Sequence, residues 1–390
     1  MKIEKSLAKK ITKDVLTNLL IYAIPILTLF LWYSVKGEAP WKNHSSDVAK
    51  VKLIPAFHFV EVIFNNLSTW GLPLIALVLG VIEFAVGLYE KRWTKNERIL
   101  DIVCFIAPNI VFIPVLTFFS LKFLPFIAPT LKNEFSWVPF WGGCFIIAVA
   151  DDLTQYWYHR LHHQVPFLWR FHRTHHSAPY MGMAMASRQN IIYTIFFSQI
   201  YLTSVLVYLG LGYQALFVTG LKSLITLAAH SSIAWDKPFY KYKVLHPFAW
   251  VLERLISTPA THHAHHADSD DDGVGHYKGN FGNMFFLWDI IFGTGIITRK
   301  FPSGYGYKEY KQEEWYAQFL WPIFKSKKEG SELSKNGPIV GDAVARVQPD
   351  DNHTLGKIGE HLTKRFAVVN EKLNEHYSAC ISLVDKQTAL

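Results

Sequence analysis

The chain has 390 residues, of which 50% are hydrophobic and 15% aromatic, and its formal net charge is +8. An apolar fraction this high argues against a set of soluble domains and favours a membrane protein. The basic residues lie mainly in blocks beside apolar segments, which indicates contact with a membrane surface and excludes nucleic acid as the expected partner. The three cysteines are far apart in the sequence, so a disulfide framework is not expected.

Six apolar stretches are long enough to cross a bilayer as helices. In chain order they are residues 15–33, 72–89, 102–121, 137–157, 191–209 and 213–229. No secretory cleavage pattern follows the first stretch, so we expect it to be retained as a membrane anchor. The predicted fold class is therefore all-α, an integral membrane bundle of about six transmembrane or interfacial helices.

Two basic blocks set the predicted orientation. Residues 1–14 carry five lysines and residues 91–98 read KRWTKNER. By the positive-inside rule both blocks should lie in the cytoplasm. Residues 53–67, between them, are expected to lie along the membrane interface as an amphipathic stretch. Counting spans onward from these blocks places the end of the fourth span and the end of the sixth span on the cytoplasmic side.

Histidines are concentrated in one region, since 13 of the 18 lie between His159 and His276. Residues three and four apart share a face of a helix. Three clusters have this spacing: His159 and His163; His172, His175 and His176; His262, His265 and His266. Imidazole is the commonest nitrogen ligand for transition metals, and eight imidazoles exceed the needs of one ion, so two metal ions are predicted. The absence of a nearby cysteine argues against a structural zinc site, while imidazole shells suit iron, zinc, copper or nickel.

Other polar residues near the clusters are secondary candidates. His230 closes the sixth span on the side predicted for the clusters and is a candidate ligand, although a histidine at a helix end also suits the helix dipole. Asp152 lies seven residues before His159 on the same helical face and is predicted to orient a ligating histidine. Asp151 is the alternative, and either carboxylate could instead pair with an arginine. Four further histidines are expected in supporting or surface positions: His162, His246, His263 and His276.

The chain is predicted to have four parts. Residues 1–135 form a transmembrane anchor region, 136–300 a catalytic region with a cytoplasmic histidine-rich metal-binding cap, 301–324 an interfacial segment, and 325–390 a linker with a peripheral helix at 354–386. Asn280 and Asp289, near the end of the catalytic region, are expected to hold the third histidine cluster in place.

Residues 151–294 resemble the membrane-bound fatty acid hydroxylase superfamily, which includes sterol desaturases and alkylglycerol monooxygenase. The resemblance is carried by D-x-x-x-Y-W-x-H-R at 152–160, P-x-L-W-x-F-H-x-x-H-H at 166–176 and T-P-x-x-H-x-x-H-H at 258–266. The closing N-F-G and W-D-x-x-F-G-T, which ends at Thr294, is similar to that family as well. Residues 175–190 resemble, less closely, the pterin-dependent ether-lipid branch.

The resemblance implies a non-haem centre of two metal ions, normally iron, in a cytoplasmic cap over a small transmembrane bundle. It also implies O2 as co-substrate and a lipid C–H bond as the site of oxidation. Carried over residue by residue, it makes ligands of the three clusters, and His230 matches the isolated histidine before the last box. The chain departs from the simplest family pattern in its additional His162 and His263, so the ligand set within those two clusters stays open by one residue.

The predicted function is a membrane-bound diiron oxidoreductase that hydroxylates or desaturates a sterol, fatty acyl or ether lipid, because oxidation of an unactivated methylene requires a redox metal with open coordination positions. Ether cleavage and decarbonylation at the same metals are alternatives. A zinc-binding or zinc-transporting membrane protein is another, although a transporter should place its ligands near the bilayer midplane. No haem or flavin motif is visible, so a separate electron donor is expected. The location would be the bacterial inner membrane or the endoplasmic reticulum.

Overall fold

The computed structural model describes residues 78–83, 93–306, 313–331 and 333–334. The predicted first span, the interfacial stretch at 53–67 and the peripheral helix at 354–386 lie outside these residues. The predicted second span is described only at residues 78–83, which are helical. Regular structure in the described part of the chain is helical, apart from an isolated bridge between Ala267 and Tyr305, so the all-α prediction is confirmed there.

The α-helices within the described ranges are numbered in chain order. They are α1 (Lys95–Phe118), α2 (Leu124–Ile127), α3 (Phe140–Gln164), α4 (Pro166–His176), α5 (Ile191–Ile195), α6 (Ser198–Tyr208), α7 (Gly212–His230), α8 (Lys237–Lys241), α9 (His246–Leu255), α10 (Pro259–His265), α11 (Leu287–Ile291) and α12 (Trp315–Leu320). A π turn at Phe119–Phe123 joins α1 to α2, and 3-10 turns occupy Pro129–Leu131, Met183–Ser187 and Lys243–Leu245.

The chain divides into two compact units. The first comprises Met1–Asp152, Tyr180–Arg188 and Phe197–Ala234, and the second Leu153–Pro179, Gln189–Phe196 and Trp235–Leu390. The first unit therefore contains α1, α2, α6, α7 and the first half of α3. The second unit contains the second half of α3 and all the remaining helices.

Two helical segments are long and apolar enough to cross a membrane, Lys95–Ile127 and Ile191–Tyr208. The first begins at Lys95, and the hydroxyl of the preceding Thr94 caps α1 by accepting the amide of Glu97 at 3.3 Å. Large apolar side chains on this segment remain exposed, as at Ile110 (66% exposed) and Leu121 (63%). An apolar surface of this extent suits contact with lipid tails rather than water.

The helices found at the predicted fourth, fifth and sixth spans match those predictions only in part. The predicted fourth span lies largely within α3 and the predicted sixth within α7. The predicted fifth span is divided, because α5 ends at Ile195 and α6 begins at Ser198. By length and composition, only the two segments named above qualify among the described residues, so the count of six spans stays a prediction.

The first unit is held together by close contacts between its long helices. In this unit α6 packs against both α1 and α7. Gly143 on α3 faces Gln214 on α7 so closely that a Cβ atom built there would lie 2.9 Å from the Gln214 Cγ. The small residue thus lets the two helices approach. Beside this contact Cys144, Ile147 and Val218 belong to one buried apolar cluster.

The second unit is built from short helices whose ends are fixed by side chains. Thr258 and Thr261 form a reciprocal capping box at the start of α10, with Pro259 at the first helical position. Helix α4 is held against α12, since the Thr174 hydroxyl donates to the Gln318 carbonyl at 2.9 Å. These contacts fix the helices that carry the second and third histidine clusters.

Candidate metal centre

One compact group of buried histidines lies inside the second unit. Their potential ligand atoms all lie within 4.8 Å of one another. Helix α3 contributes two of them, α4 two and α10 one: His159, His163, His172, His176 and His265. The clusters that the spacing singled out are therefore brought together from segments about ninety residues apart in the sequence.

Backbone carbonyls orient two of these rings. The Nδ1–H of His159 donates to the Phe281 carbonyl at 2.7 Å, and the Nδ1–H of His265 donates to the Gly279 carbonyl at 2.6 Å. Each neutral ring then carries a lone pair on Nε2. These two Nε2 atoms face each other at 3.1 Å. Two lone pairs at this distance repel unless a cation lies between the rings or one ring is protonated.

Burial keeps these rings neutral. It lowers the pKa of His159 to about 4, and it lowers the pKa of His163 and His176 well below the usual value of 6.5, with further lowering by neighbouring histidines. Neutral imidazole is the form that binds metal. Within the described part of the chain, the Nε2 atoms of His163, His172 and His176 are buried without a hydrogen-bond partner, an arrangement that costs free energy unless a metal ion binds them.

A second set of buried histidines adjoins the first within the same unit. The potential ligand atoms of His175, His262 and His266 also lie within 4.8 Å of one another. The Nε2 atoms of His262 and His266 are 3.2 Å apart. The ring of His266 stacks on that of His176 with centroids 4.3 Å apart. The two sets are thus neighbours, and their donor chemistry fits two metal ions.

His230 is buried at the last position of α7, in the first unit. Its Nδ1–H donates to the Thr226 carbonyl one turn earlier in the helix, at 2.7 Å. This bond places the lone pair of a neutral ring on Nε2. The role of His230 as a metal ligand stays a prediction.

The additional histidines of the clusters make other contacts. His162 donates from Nδ1 to the Tyr158 carbonyl at 2.8 Å, and its ring lies 4.7 Å from that of Tyr193. The Nδ1 of His263 lies 2.9 Å from the Tyr305 hydroxyl. Of the described residues, neither histidine group includes His162 or His263. The geometry therefore favours His163 and His262 over their neighbours as ligands.

His246 and His276 also lie outside both groups. The Nε2–H of His246 donates to the Tyr240 carbonyl at 3.0 Å, and the Nε2–H of His276 donates to the Thr294 carbonyl at 3.1 Å. The first contact joins the start of α9 to α8, and the second joins the loop after α10 to the residues that follow α11. The supporting or surface roles expected for these two histidines stay predictions.

Asp151 and Asp152 have a partner that the sequence did not suggest. The Lys222 ammonium on α7 lies 2.7 Å from a carboxylate oxygen of Asp151 and 3.6 Å from one of Asp152. Gln199 adds a hydrogen bond to Asp151 at 3.2 Å. A role for Asp152 in orienting a histidine stays a prediction, and the acceptor found for His159 is the Phe281 carbonyl.

The loop that carries these carbonyl acceptors is fixed by Asp289. One carboxylate oxygen of Asp289 accepts the Phe281 amide at 2.8 Å and the Thr294 hydroxyl at 2.6 Å, while the other accepts the Gly282 amide at 2.6 Å. Burial raises the pKa of Asp289 to about 6, against these hydrogen bonds. The W-D-x-x-F-G-T motif was the sequence signal for this residue.

Asn280 holds the same loop to α10. Its side-chain amide donates to the Thr261 carbonyl at 2.9 Å, and its own backbone has a positive φ of 56°. The expectation that Asn280 and Asp289 support the third cluster agrees with these contacts, and Asp289 also serves His159. Gln189, whose oxygen accepts Nδ1–H of His172 at 3.2 Å, had no sequence signal.

The comparison with known proteins bears on this same region. Residues 144–294 match the family model described as fatty acid hydroxylase. Over 156 residues the chain is 31% identical to alkylglycerol monooxygenase of Homo sapiens, a match that covers 40% of this chain and 30% of that protein. The match thus spans less than a third of the relative's length. No solved structure matches the chain. Both histidine groups lie inside residues 144–294, so the match to the fatty acid hydroxylase family covers the candidate metal centre.

Proposed function

We propose that residues 144–294 form the catalytic part of a membrane-bound oxygenase that uses O2 to oxidise a C–H bond of a lipid at two iron ions. The observation that carries the proposal is the pair of Nε2 atoms of His159 and His265, 3.1 Å apart, on rings whose other nitrogen already donates to a carbonyl. Both nitrogens would hold a cation, and its charge would remove the repulsion between their lone pairs. The family that the domain matches supports iron as that cation.

Each ion would be held by one histidine group. The first group would supply His159, His163, His172, His176 and His265, and the second His175, His262 and His266, with His230 as the predicted ninth ligand. Bound iron would supply the redox chemistry that O2 activation requires. The carbonyls of Gly279 and Phe281 hold the two rings in one tautomer and one orientation, as the outer partners of metal-bound histidines do.

The proposed reaction also defines the other participants. Hydroxylation places one oxygen atom of O2 in the lipid and releases the other as water, so it consumes two electrons and two protons. We infer a separate electron-donor protein or reductant on the cytoplasmic side, where the basic blocks place the histidines by the positive-inside rule. The lipid would be a sterol, a fatty acyl chain or an ether lipid. Alkylglycerol monooxygenase, the relative that matches over part of its length, gives the ether lipid particular support.

Metal analysis of detergent-purified protein tests the proposal. Elemental analysis is expected to find about two irons per chain, and Mössbauer spectroscopy on protein grown with enriched iron should show a coupled pair. Incubation of the reduced, iron-loaded protein with lipid extracts and labelled O2 should then put the label into a lipid product. Zinc alone, bound even when cells grow with ample iron and little zinc, would overturn the oxygenase proposal in favour of a metal-binding or transport protein.

A further inference from the structure

Helix α9 and the turn before it expose an apolar surface. Val244 is 85% exposed, and Phe248 and Trp250 are each 55% exposed. On the opposite side of the same helix Ala249 and Glu253 are buried against the second unit. The helix is therefore amphipathic, with the polar Glu253 turned inward and large apolar side chains turned outward. This is the reverse of the arrangement in a helix that faces water.

A basic pocket lies beside this apolar surface. It has a volume of about 700 Å³ and its lining includes Lys237, Tyr240, Lys241, Arg299, Lys300 and Phe301. The ammonium of Lys237 lies 4.9 Å above the Phe301 ring and that of Lys241 lies 5.4 Å from the Tyr242 ring. The pocket therefore combines cations with aromatic faces.

The neighbours of this pocket neutralise only part of its positive charge. Glu253 is the carboxylate at this end of α9, and both its oxygens are taken by Arg299, at 2.7 and 2.9 Å. Arg254 adds a further bond to the same carboxylate at 2.8 Å. Within the described residues, Lys237, Lys241 and Lys300 have no carboxylate within 4.0 Å. The pocket is thus left with a net positive charge that suits an anion.

Exposed apolar side chains, interfacial aromatics and uncompensated lysines side by side are the signature of a helix that lies in a membrane interface. An acidic protein would satisfy the lysines, but it would not account for the adjacent apolar face in a chain that already carries membrane-length helices. Lipid phosphate accounts for both halves of the surface at once. The Arg254 guanidinium also lies 4.4 Å from the centroid of the Trp250 ring, so a positive charge and an interfacial aromatic ring are in contact on this helix.

We propose that α8, α9 and residues 299–301 form an interfacial anchor for anionic lipid. Val244, Phe248 and Trp250 enter the boundary between headgroups and acyl chains, while Lys237, Lys241 and Lys300 bind headgroup phosphate. This surface goes beyond the proposed oxygenase activity and requires neither metal nor turnover.

The anchor is linked to the helix of the third histidine cluster. Asp236 lies just before α8, and one of its carboxylate oxygens accepts the amide of Ala260, in the first turn of α10, at 2.8 Å. The Tyr240 hydroxyl donates to the same oxygen at 3.2 Å. If the proposed function holds, the anchor keeps the metal centre beside the lipid surface from which substrate enters.

The test uses a fluorescent label at the tip of the apolar face. Val244→Cys, in the full chain with Cys380→Ser, is labelled and reconstituted into nanodiscs that contain nitroxide-labelled lipid and increasing fractions of phosphatidylglycerol in phosphatidylcholine. The buried Cys104 and Cys144 should resist labelling. Asp270→Cys, in the exposed acidic loop of the same unit, is the reference site outside the anchor.

Nitroxide quenching is expected at residue 244 and not at residue 270, and it should increase with phosphatidylglycerol. Replacing Lys237, Lys241 and Lys300 with Gln should weaken the phosphatidylglycerol response about fivefold for each lysine. The matched control replaces Lys325, Lys327 and Lys328, three exposed lysines elsewhere in the unit, and should leave the response unchanged.

Three results would overturn the proposal. Equal quenching at residues 244 and 270 would mean that the apolar face does not enter the membrane. An equal response of the two triple-lysine variants would show that the pocket does not bind lipid headgroups. If inorganic phosphate abolished the phosphatidylglycerol response at the concentration of lipid phosphate, the pocket would be a site for soluble anions. Oxygenase assays on the same variants would report separately on the proposed function.

Discussion

At the residue scale, the neighbours His162 and His163 on α3 allow the loss of a proposed metal ligand to be distinguished from the loss of a buried histidine. Both are buried, but His163 belongs to the first histidine group, while His162 donates to the Tyr158 carbonyl and lies against Tyr193. We predict that His163→Ala lowers bound iron from about two ions per chain to about one, because it removes a ligand from only one group. Elemental analysis after size-exclusion chromatography measures this directly.

His162→Ala is the matched control for that experiment. It removes a buried imidazole of the same size from the same helix, so any loss of metal through general loosening should appear in both variants. We expect it to retain its iron. Equal iron loss in the two variants, with both still folded by circular dichroism, would remove His163 from the proposed ligand set.

Asp289 is a positioning residue rather than a ligand, and it can be tested as one. Asp289→Asn places an NH2 group against an amide or hydroxyl donor that the carboxylate now accepts. We predict a loss of about 1–3 kcal/mol in the free energy of unfolding and about 10-fold weaker iron binding, because the carbonyl acceptors of His159 and His265 lose their support. Asp270→Asn, an exposed carboxylate, is the control in thermal-shift and chelator-competition assays. Iron affinity unchanged alongside the lower stability would restrict Asp289 to a folding role.

The sequence predicts which histidines group together better than it predicts the groups that accept hydrogen bonds from their rings. Histidines three and four apart had to share a helix face, so the grouping of His159 with His163 could be read directly. The acceptors behind them are backbone carbonyls of Gly279 and Phe281. Every residue has a carbonyl, so no side-chain pattern distinguishes these two before the chain folds.

At the element scale, hydropathy located helices but not their breaks. Residues 191–209 are predicted from the sequence as one continuous span, yet the helix stops at Ile195 and restarts at Ser198. The Asn190 side chain caps α5 by accepting the Ile192 amide at 2.8 Å, which fixes where the helix starts. The break falls just before Ser198 and Gln199, and a mean hydropathy taken over the whole stretch does not separate these two polar residues from their apolar neighbours.

The pairing of α3 with α7 through charge is a further element-scale feature. Lys222 is buried and contacts Asp151 at 2.7 Å. We predict that Lys222→Met lowers the free energy of unfolding by about 3–5 kcal/mol, because it leaves the buried Asp151 carboxylate without its cation. Adding Asp151→Asn to the same variant should recover much of that loss. Thermal unfolding in detergent compares the single and double variants, and a single variant as stable as the parent would mean that the ion pair contributes no net stability.

At the scale of the whole molecule, the sequence predicted that three distant clusters meet but not what surrounds them. The family match confirms the superfamily assignment for residues 144–294. The positive-inside count gives an orientation to the entire chain, and the cytoplasmic position of the centre stays a prediction that labelling of residues 91–98 from either side of a membrane would test. Basic residues near the spans set the orientation of the chain as it inserts into the membrane, so the sequence alone predicts it. The contacts within each unit depend on the folded structure and cannot be read from such a pattern.

The buried histidines also make the stability of the whole metal-free chain depend on pH. Burial lowers the pKa of His159 to about 4 and that of His162 to about 3, from an ordinary value of 6.5. As the pH falls below 6.5, the unfolded chain therefore binds protons that the folded chain does not, and the free energy of unfolding decreases until the pH reaches the folded-state values. For His159 alone the loss is on the order of 3 kcal/mol. Well above pH 6.5 these histidines are neutral in both states and contribute no slope.

Bound iron should oppose this decrease in the free energy of unfolding at low pH, because the metal binds the same neutral nitrogens that would otherwise be protonated. The effect should last until protons displace the metal. We therefore predict that thermal unfolding temperatures in detergent fall from pH 6.5 toward pH 4 in the presence of chelator, and that iron-loaded protein holds its stability to a lower pH before releasing its metal. A chelated protein whose unfolding temperature stays constant or rises over this interval would contradict the neutral, buried state of the histidines, on which the proposed metal centre depends.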